Sequence, residues 1–152
     1  MKTIRELVGD RGVFSVGVDW PIAKVVAYLC EKEIGAVAVM SGESLVGVFS
    51  ERDLLRRVVW KGLDPAATPV REVMTSDVFY VDIDQSYAVA KALMLDKNFR
   101  HLVVLDEDKK LRGFVSMREL LEADLSESRD LIRKLNDTFY EHQFKPPETE
   151  SS

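Results

Sequence analysis

Apolar and polar positions follow one scheme that runs along the chain twice. Val13, Val16 and Val18 read as a short strand, and Asp19 with Pro21 signals the start of a helix. Ile22, Val25, Val26 and Leu29 then recur at the i, i+3, i+4, i+7 spacing of an amphipathic helix. The run Ala36 to Met40 predicts a buried strand, Ser41-Gly42-Glu43-Ser44 a turn, and Leu45 to Phe49 a further strand. Ser50 opens a second helix through Leu54, Leu55 and Val58. The order then returns: strand 78–83, helix 86–97, strands 102–105 and 111–115, helix 116–123.

The return is a sequence repeat as well as a pattern. TIRELVG at 3–9 aligns with PVREVMT at 69–75, VFSVGVD at 13–19 with VFYVDID at 78–84, and LVGVFSERDLL at 45–55 with LRGFVSMRELL at 111–121. The offset is 66 residues, falls to 65 near Gly12, and returns to 66 before Leu45. One βαββα copy is too small to bury its own apolar surface well. The expected fold is therefore α/β (α+β): two βαββα repeats packed sheet against sheet with pseudo-twofold symmetry, and paired clefts between them. The first repeat is expected at 3–60, a linker (KGLDPAATP) at 61–69 and the second repeat at 70–124. A C-terminal helix is expected at 125–144 and a disordered tail at 145–152. Leu125, Ile132, Leu135 and Phe139 give that helix an apolar stripe with Ser126 as its N-cap, suited to packing on its own domain or to a dimer contact.

Composition narrows the chemistry. Across 152 residues the net charge is −5, which disfavours nucleic acid and anionic lipid as partners of the whole molecule. The lone Cys30 excludes an intramolecular disulfide and sits in an apolar helical pattern, where buried filler is expected. His101 and His142 are the only histidines, and neither has acids or Cys at metal-ligand spacing. There is no apolar run of membrane-spanning length and no apolar leader core, so the expected location is cytoplasmic. No nucleophile elbow, phosphate loop or dinucleotide fingerprint is present, and the chain is not expected to be an enzyme.

The candidate chemistry lies in Ser50-Glu51-Arg52-Asp53 and its copy Ser116-Met117-Arg118-Glu119, each at a strand-to-helix junction. Helix N-termini favour anions, Arg52 and Arg118 can contact phosphate, and an acid one turn in can accept both hydroxyls of a ribose. The same Ser-x-x-acid pattern is also a capping box. Glu at N3 suits the cap, which makes Glu119 the better cap. Arg52, Arg56, Arg57 and Lys61 fall along one helix, as a solvated face or a polyanion stripe.

Taken together, EVMT before a strand, RHLVVLD, GFVSMREL, ERDLLRRVVWKGLDPAATPVREVMT and SRDLIRKLNDTF resemble the tandem CBS (cystathionine β-synthase-type) domain pair, in particular its stand-alone form. The resemblance covers about residues 3–140. It implies a regulatory module that binds AMP, ADP, ATP, NAD(H) or S-adenosylmethionine as a regulatory ligand, with no catalytic cofactor. It further implies a homodimer and a regulated protein partner. Carried over by position, the first site comprises Ser50, Arg52, Asp53, Thr75, Val78, Phe79, Phe99 and Arg100. The second comprises Gly9, Val13, Phe14, Ile34, Gly35, Arg100, His101, Ser116, Arg118 and Glu119. Asp53 is the family's usual ribose acid, and Glu119 and Gly9 depart from its pattern, so the first cleft ranks first. For Val13, Phe14, Val78 and Phe79 plain core packing is the competing reading. The alternatives for the whole chain are an interaction module with vestigial clefts, or a nucleic-acid binder through the basic helix.

Overall fold

The structure, a computed structural model, describes residues 2–124, 133–137 and 146–148. The chain divides into two compact units, Met1–Leu120 and Leu121–Ser152; the first repeat and the second as far as Leu120 lie in the first. In chain order its elements are α1 (Ile4–Val8), β1 (Ser15–Gly17), α2 (Ile22–Lys32), β2 (Ala36–Ser41), β3 (Ser44–Ser50) and α3 (Glu51–Asp53), which continues as a π-helix over Leu54–Val59. A 3-10 turn (Val70–Glu72) precedes β4 (Tyr80–Asp82), α4 (Tyr87–Lys97), β5 (His101–Leu105), β6 (Leu111–Ser116) and α5 (Met117–Asp124). Residues 133–137 are helical; Leu125, Ser126, Ile132 and Phe139 of the expected stripe lie outside the described residues, as does most of 145–152.

Each repeat builds one three-stranded sheet, ordered β1-β2-β3 and β4-β5-β6. The first two strands pair parallel across the intervening helix, and the last two form an antiparallel hairpin. Even the irregularities are duplicated. A register shift falls between Val39 and Met40 and again between Val104 and Leu105, at the 65-residue offset. Glu33 and Asn98 close α2 and α4 in the left-handed region, at φ 55° and 56°. These are local solutions to one local pattern, which is why the alignment carries them.

The long-range packing follows a rule that periodicity does not contain. Each N-terminal segment docks on the other repeat. Ile4 N–H donates to Gln85 O (2.8 Å) and Arg5 N–H to Ile83 O (2.7 Å); in mirror fashion Val70 N–H donates to Trp20 O (2.8 Å) and Arg71 N–H to Val18 O (3.2 Å). Arg5 pairs with Asp84, and Arg71 with Asp19, the equivalent residues of the two copies. Val70 and Val73 join Val16, Ile22, Val25, Leu29, Val37, Val39, Phe49 and Val58 in one core, while α1 packs on β6. Among the described residues, backbone hydrogen bonds between the halves come from these exchanged segments. Neither half can close its core without a piece of the other, so the two fold together.

Cys30 differs from expectation, and three further side chains depart from the competing core reading. Cys30 is exposed, because Ile22, Val25 and Leu29 define the buried face of α2 and residue 30 lies one helical step past it. Val13, Phe14 and Phe79 are 38%, 36% and 47% exposed and are not core. They stand at the entrances of β1 and β4, beyond the cover of the sheets.

Candidate functional site

A cleft of about 270 Å³ opens between the repeats. Side chains two apart on a strand share a face, so Val48 and Ser50 of β3 line it together, as do His101 and Val103 of β5. Phe114 of β6, Ala36 of β2, and the segments Thr75–Phe79 and Phe99–Arg100 complete the wall. The Phe79 and Phe99 rings sit 5.0 Å apart at 42°. All eight residues of the first expected site line this one cleft. The structure adds Gly35 and His101, expected in the second site, and Ala36, Val48, Glu51, Asp77, Val103 and Phe114, which were not singled out. Strand alternation from Ser50 and His101 points to Val48 and Val103; no sequence signal marks Asp77.

The polar end is organised around Asp53, which is 8% exposed. Asp53 Oδ2 accepts from Ser50 N–H (3.0 Å) and Oγ–H (3.2 Å), and Asp53 N–H donates to Ser50 Oγ (3.3 Å). This is a full capping box, so Asp53 caps its helix as Glu119 does. Capping is thus common to both acids and does not by itself divide the two copies. The difference lies in the second oxygen. Asp53 Oδ1 accepts from Thr75 Oγ1–H (3.1 Å), and the Arg57 guanidinium stands 3.7 Å away. Thr75 in turn exchanges backbone hydrogen bonds with Val48 at 2.8 and 2.9 Å. Arg57 also donates from Nη1 to Met74 O (2.8 Å) and Val73 O (3.3 Å). The basic stripe is thereby divided: Arg57 braces the exchanged segment and Arg52 lines the cleft.

The second expected site is assembled differently. Ser116 and Glu119 form their own box, with Glu119 Oε2 paired to Arg11. Gly9 closes α1 at φ 53° and supplies no side chain. Val13 lines a separate, wider groove beside the hairpin turns at Gly42–Ser44 and Asp108–Lys110. Gly35, Arg100 and His101 line the first cleft.

Apolar walls interrupted by a hydrogen-bonded Ser50–Asp53–Thr75 group and lined also by Arg52 and Arg100 suit a planar apolar group carrying a polar tail. His101 is neutral at pH 7. Desolvation at the cleft wall pushes its imidazole below the ordinary value, Glu119 and Glu51 pull it upward, and Arg100 adds to the lowering. The folded protein then binds this proton less readily than the unfolded chain does. Stability is therefore complete above about pH 6.5 and declines below it, towards the folded value. His101→Gln is expected to flatten the fall in Tm between pH 7 and 5; an unchanged slope would contradict this. Among the described residues no cluster of His, Cys, Asp and Glu is arranged to hold a metal ion, and no helix is long and apolar enough to cross a membrane.

The family model for the CBS domain matches twice, over residues 4–59 and 70–126. An uncharacterized protein of Methanopyrus kandleri is 34% identical over 95 residues, covering 62% of this chain and 48% of that protein. The chain thus spans about half the length of that relative. Among solved structures, a protein with CBS domains from Burkholderia ambifaria aligns at a TM-score of 0.78 with 29% identity, over 96% of this chain and 100% of the other. A CBS domain protein from Pyrobaculum aerophilum, complexed with AMP, aligns at 0.71 with 28% identity, over 78% and 89%.

Proposed function

The chain belongs to the CBS-domain family, and from that premise we propose that it is a regulatory module whose cleft between the repeats binds an adenosyl ligand and thereby modulates a partner protein. One observation carries this reading: Ser50, Asp53 and Thr75 form one hydrogen-bonded group in the lining of a single apolar cleft that Arg52 and Arg100 also line. Phe79 and Phe99 would sandwich or flank the base. Asp53 would exchange its contacts with Ser50 Oγ and Thr75 for ribose hydroxyls, and the arginines would meet phosphate or carboxylate. The Pyrobaculum aerophilum neighbour with AMP supports the ligand class. A ligand that binds only the folded state raises Tm by mass action, about 2.7 kcal/mol of added stability at a hundredfold excess over Kd. Thermal melts with AMP, ATP, NADH and S-adenosylmethionine at millimolar concentration are expected to show such a shift with at least one. No shift with any of the four would remove the proposal.

A separate observation favours self-association. Leu55, Val59 and Trp60 are 63%, 63% and 84% exposed along one helical face. A solvent-facing apolar cluster of this kind marks an interaction surface, and we assign it to a second copy of the chain. Sedimentation should give a dimer for the wild type and a monomer for Trp60→Glu. A wild-type monomer at tens of micromolar would refute the assignment.

A further inference from the structure

We propose that Arg11 closes the second cleft, so that the chain takes one adenosyl ligand and not two; the inference rests on the function proposed above. In the alignment Arg11 corresponds to Asp77, which lines the first cleft. Pseudo-symmetry therefore places Arg11 at the second cleft's wall. Its guanidinium spans two acceptors there. Nε–H donates to Val8 O (3.2 Å), and Nη1–H donates to Glu119 Oε2. Glu119 Oε1 is already engaged by Ser116, through N–H at 3.3 Å and Oγ–H at 3.2 Å. Both oxygens of the acid that would receive ribose hydroxyls are thus engaged within the protein, one of them by a cation.

The first cleft holds an arginine on the matching carbonyl, since Met74 is the counterpart of Val8. Arg57 projects from the helix and is not part of the cleft lining. The position equivalent to Arg57 in the second copy is Ala123, which has no guanidinium to reach back from the helix. One arginine thus stays out of its cleft's lining, and the other is bonded directly to its acid. A ligand that takes the Glu119 carboxylate must break its direct pairing with Arg11, whereas Asp53 is held by Ser50 and Thr75 with the Arg57 guanidinium 3.7 Å away.

Calorimetric titration with AMP, ADP and ATP in turn tests this on the wild type, Arg11→Ala and Arg11→Gln. The wild type is expected to bind one nucleotide per chain. Both variants should bind two, with second-site affinity raised at least fivefold. Adding Asp53→Ala to Arg11→Ala should return the count to one, which locates the new site in the second cleft. Two equivalent sites in the wild type, or a single site in both Arg11 variants, would overturn the inference and leave the proposed function standing. Absence of binding by every nucleotide in all three proteins would remove both.

Discussion

Asp53→Ala is expected to lower stability by about 2–3 kcal/mol and to abolish the rise in Tm that an adenosyl ligand produces. The stability loss follows from what the carboxylate holds. Its removal strips the cap from the Ser50 N–H, leaves the Thr75 hydroxyl without its acceptor and takes the facing carboxylate from Arg57. Losing a helix cap costs about 1 kcal/mol, and an unsatisfied, largely buried polar group about 1–3 kcal/mol. In a chain of this size the sum corresponds to a fall of roughly 6–10 °C in Tm. Glu119→Ala removes a cap and an exposed ion pair with Arg11, a pair worth about 0–1 kcal/mol. Its effect on stability should be smaller, and the ligand-induced shift should survive. Paired thermal melts of the two variants, with and without nucleotide, check both statements. Equal effects would mean that the clefts are equivalent.

Gly47→Ala should cost about 2 kcal/mol and should also weaken the ligand response. A Cβ at Gly47 would lie 2.6 Å from Met74 Sδ and 3.0 Å from Thr75 O. The thioether must swing aside, a cost that shortening Met74 removes. The carbonyl cannot, because it accepts from Val48 N–H at 2.9 Å and so belongs to the bridge that presents Thr75 to Asp53. Overpacking of this kind typically costs about 1–3 kcal/mol. The equivalent glycine serves a different need. Gly113 sits at φ 147°, and a Cβ there would meet only Val8 Cγ1, at 3.7 Å. Gly113→Ala is then a backbone cost of about 1–3 kcal/mol with little crowding. Met74→Ala should restore part of the stability of Gly47→Ala and none of that of Gly113→Ala. Chemical denaturation of the two glycine variants, each with and without Met74→Ala, measures this, and rescue of neither would refute the crowding account.

The two glycines illustrate how far an alignment reads. Their identity in both copies was visible, and so was their place before Ser50 and Ser116. That one is required for space and the other for its φ was not, because space depends on which segment docks there. Likewise Asp53 and Thr75 are 22 residues apart and nothing local joins them. Family resemblance brought them to one site by position, and the exchanged segment puts the hydroxyl 3.1 Å from the carboxylate. Arg57 read as one member of a basic stripe; only the π-turn and the docked segment turn it towards Val73 and Met74.

By itself, the sequence determined the βαββα order, its repetition and the Ser-x-x-acid junctions. All of these are governed by side-chain periodicity, turn chemistry and caps, and each acts over a few neighbouring residues. The tertiary structure alone decided the exchange of N-terminal segments, the convergence of the first-site residues on one cleft and the different partners of Arg57 and Arg11. These depend on contacts 16 to 108 residues apart along the chain, set by which apolar face covers which core, and a local pattern carries no term for that choice.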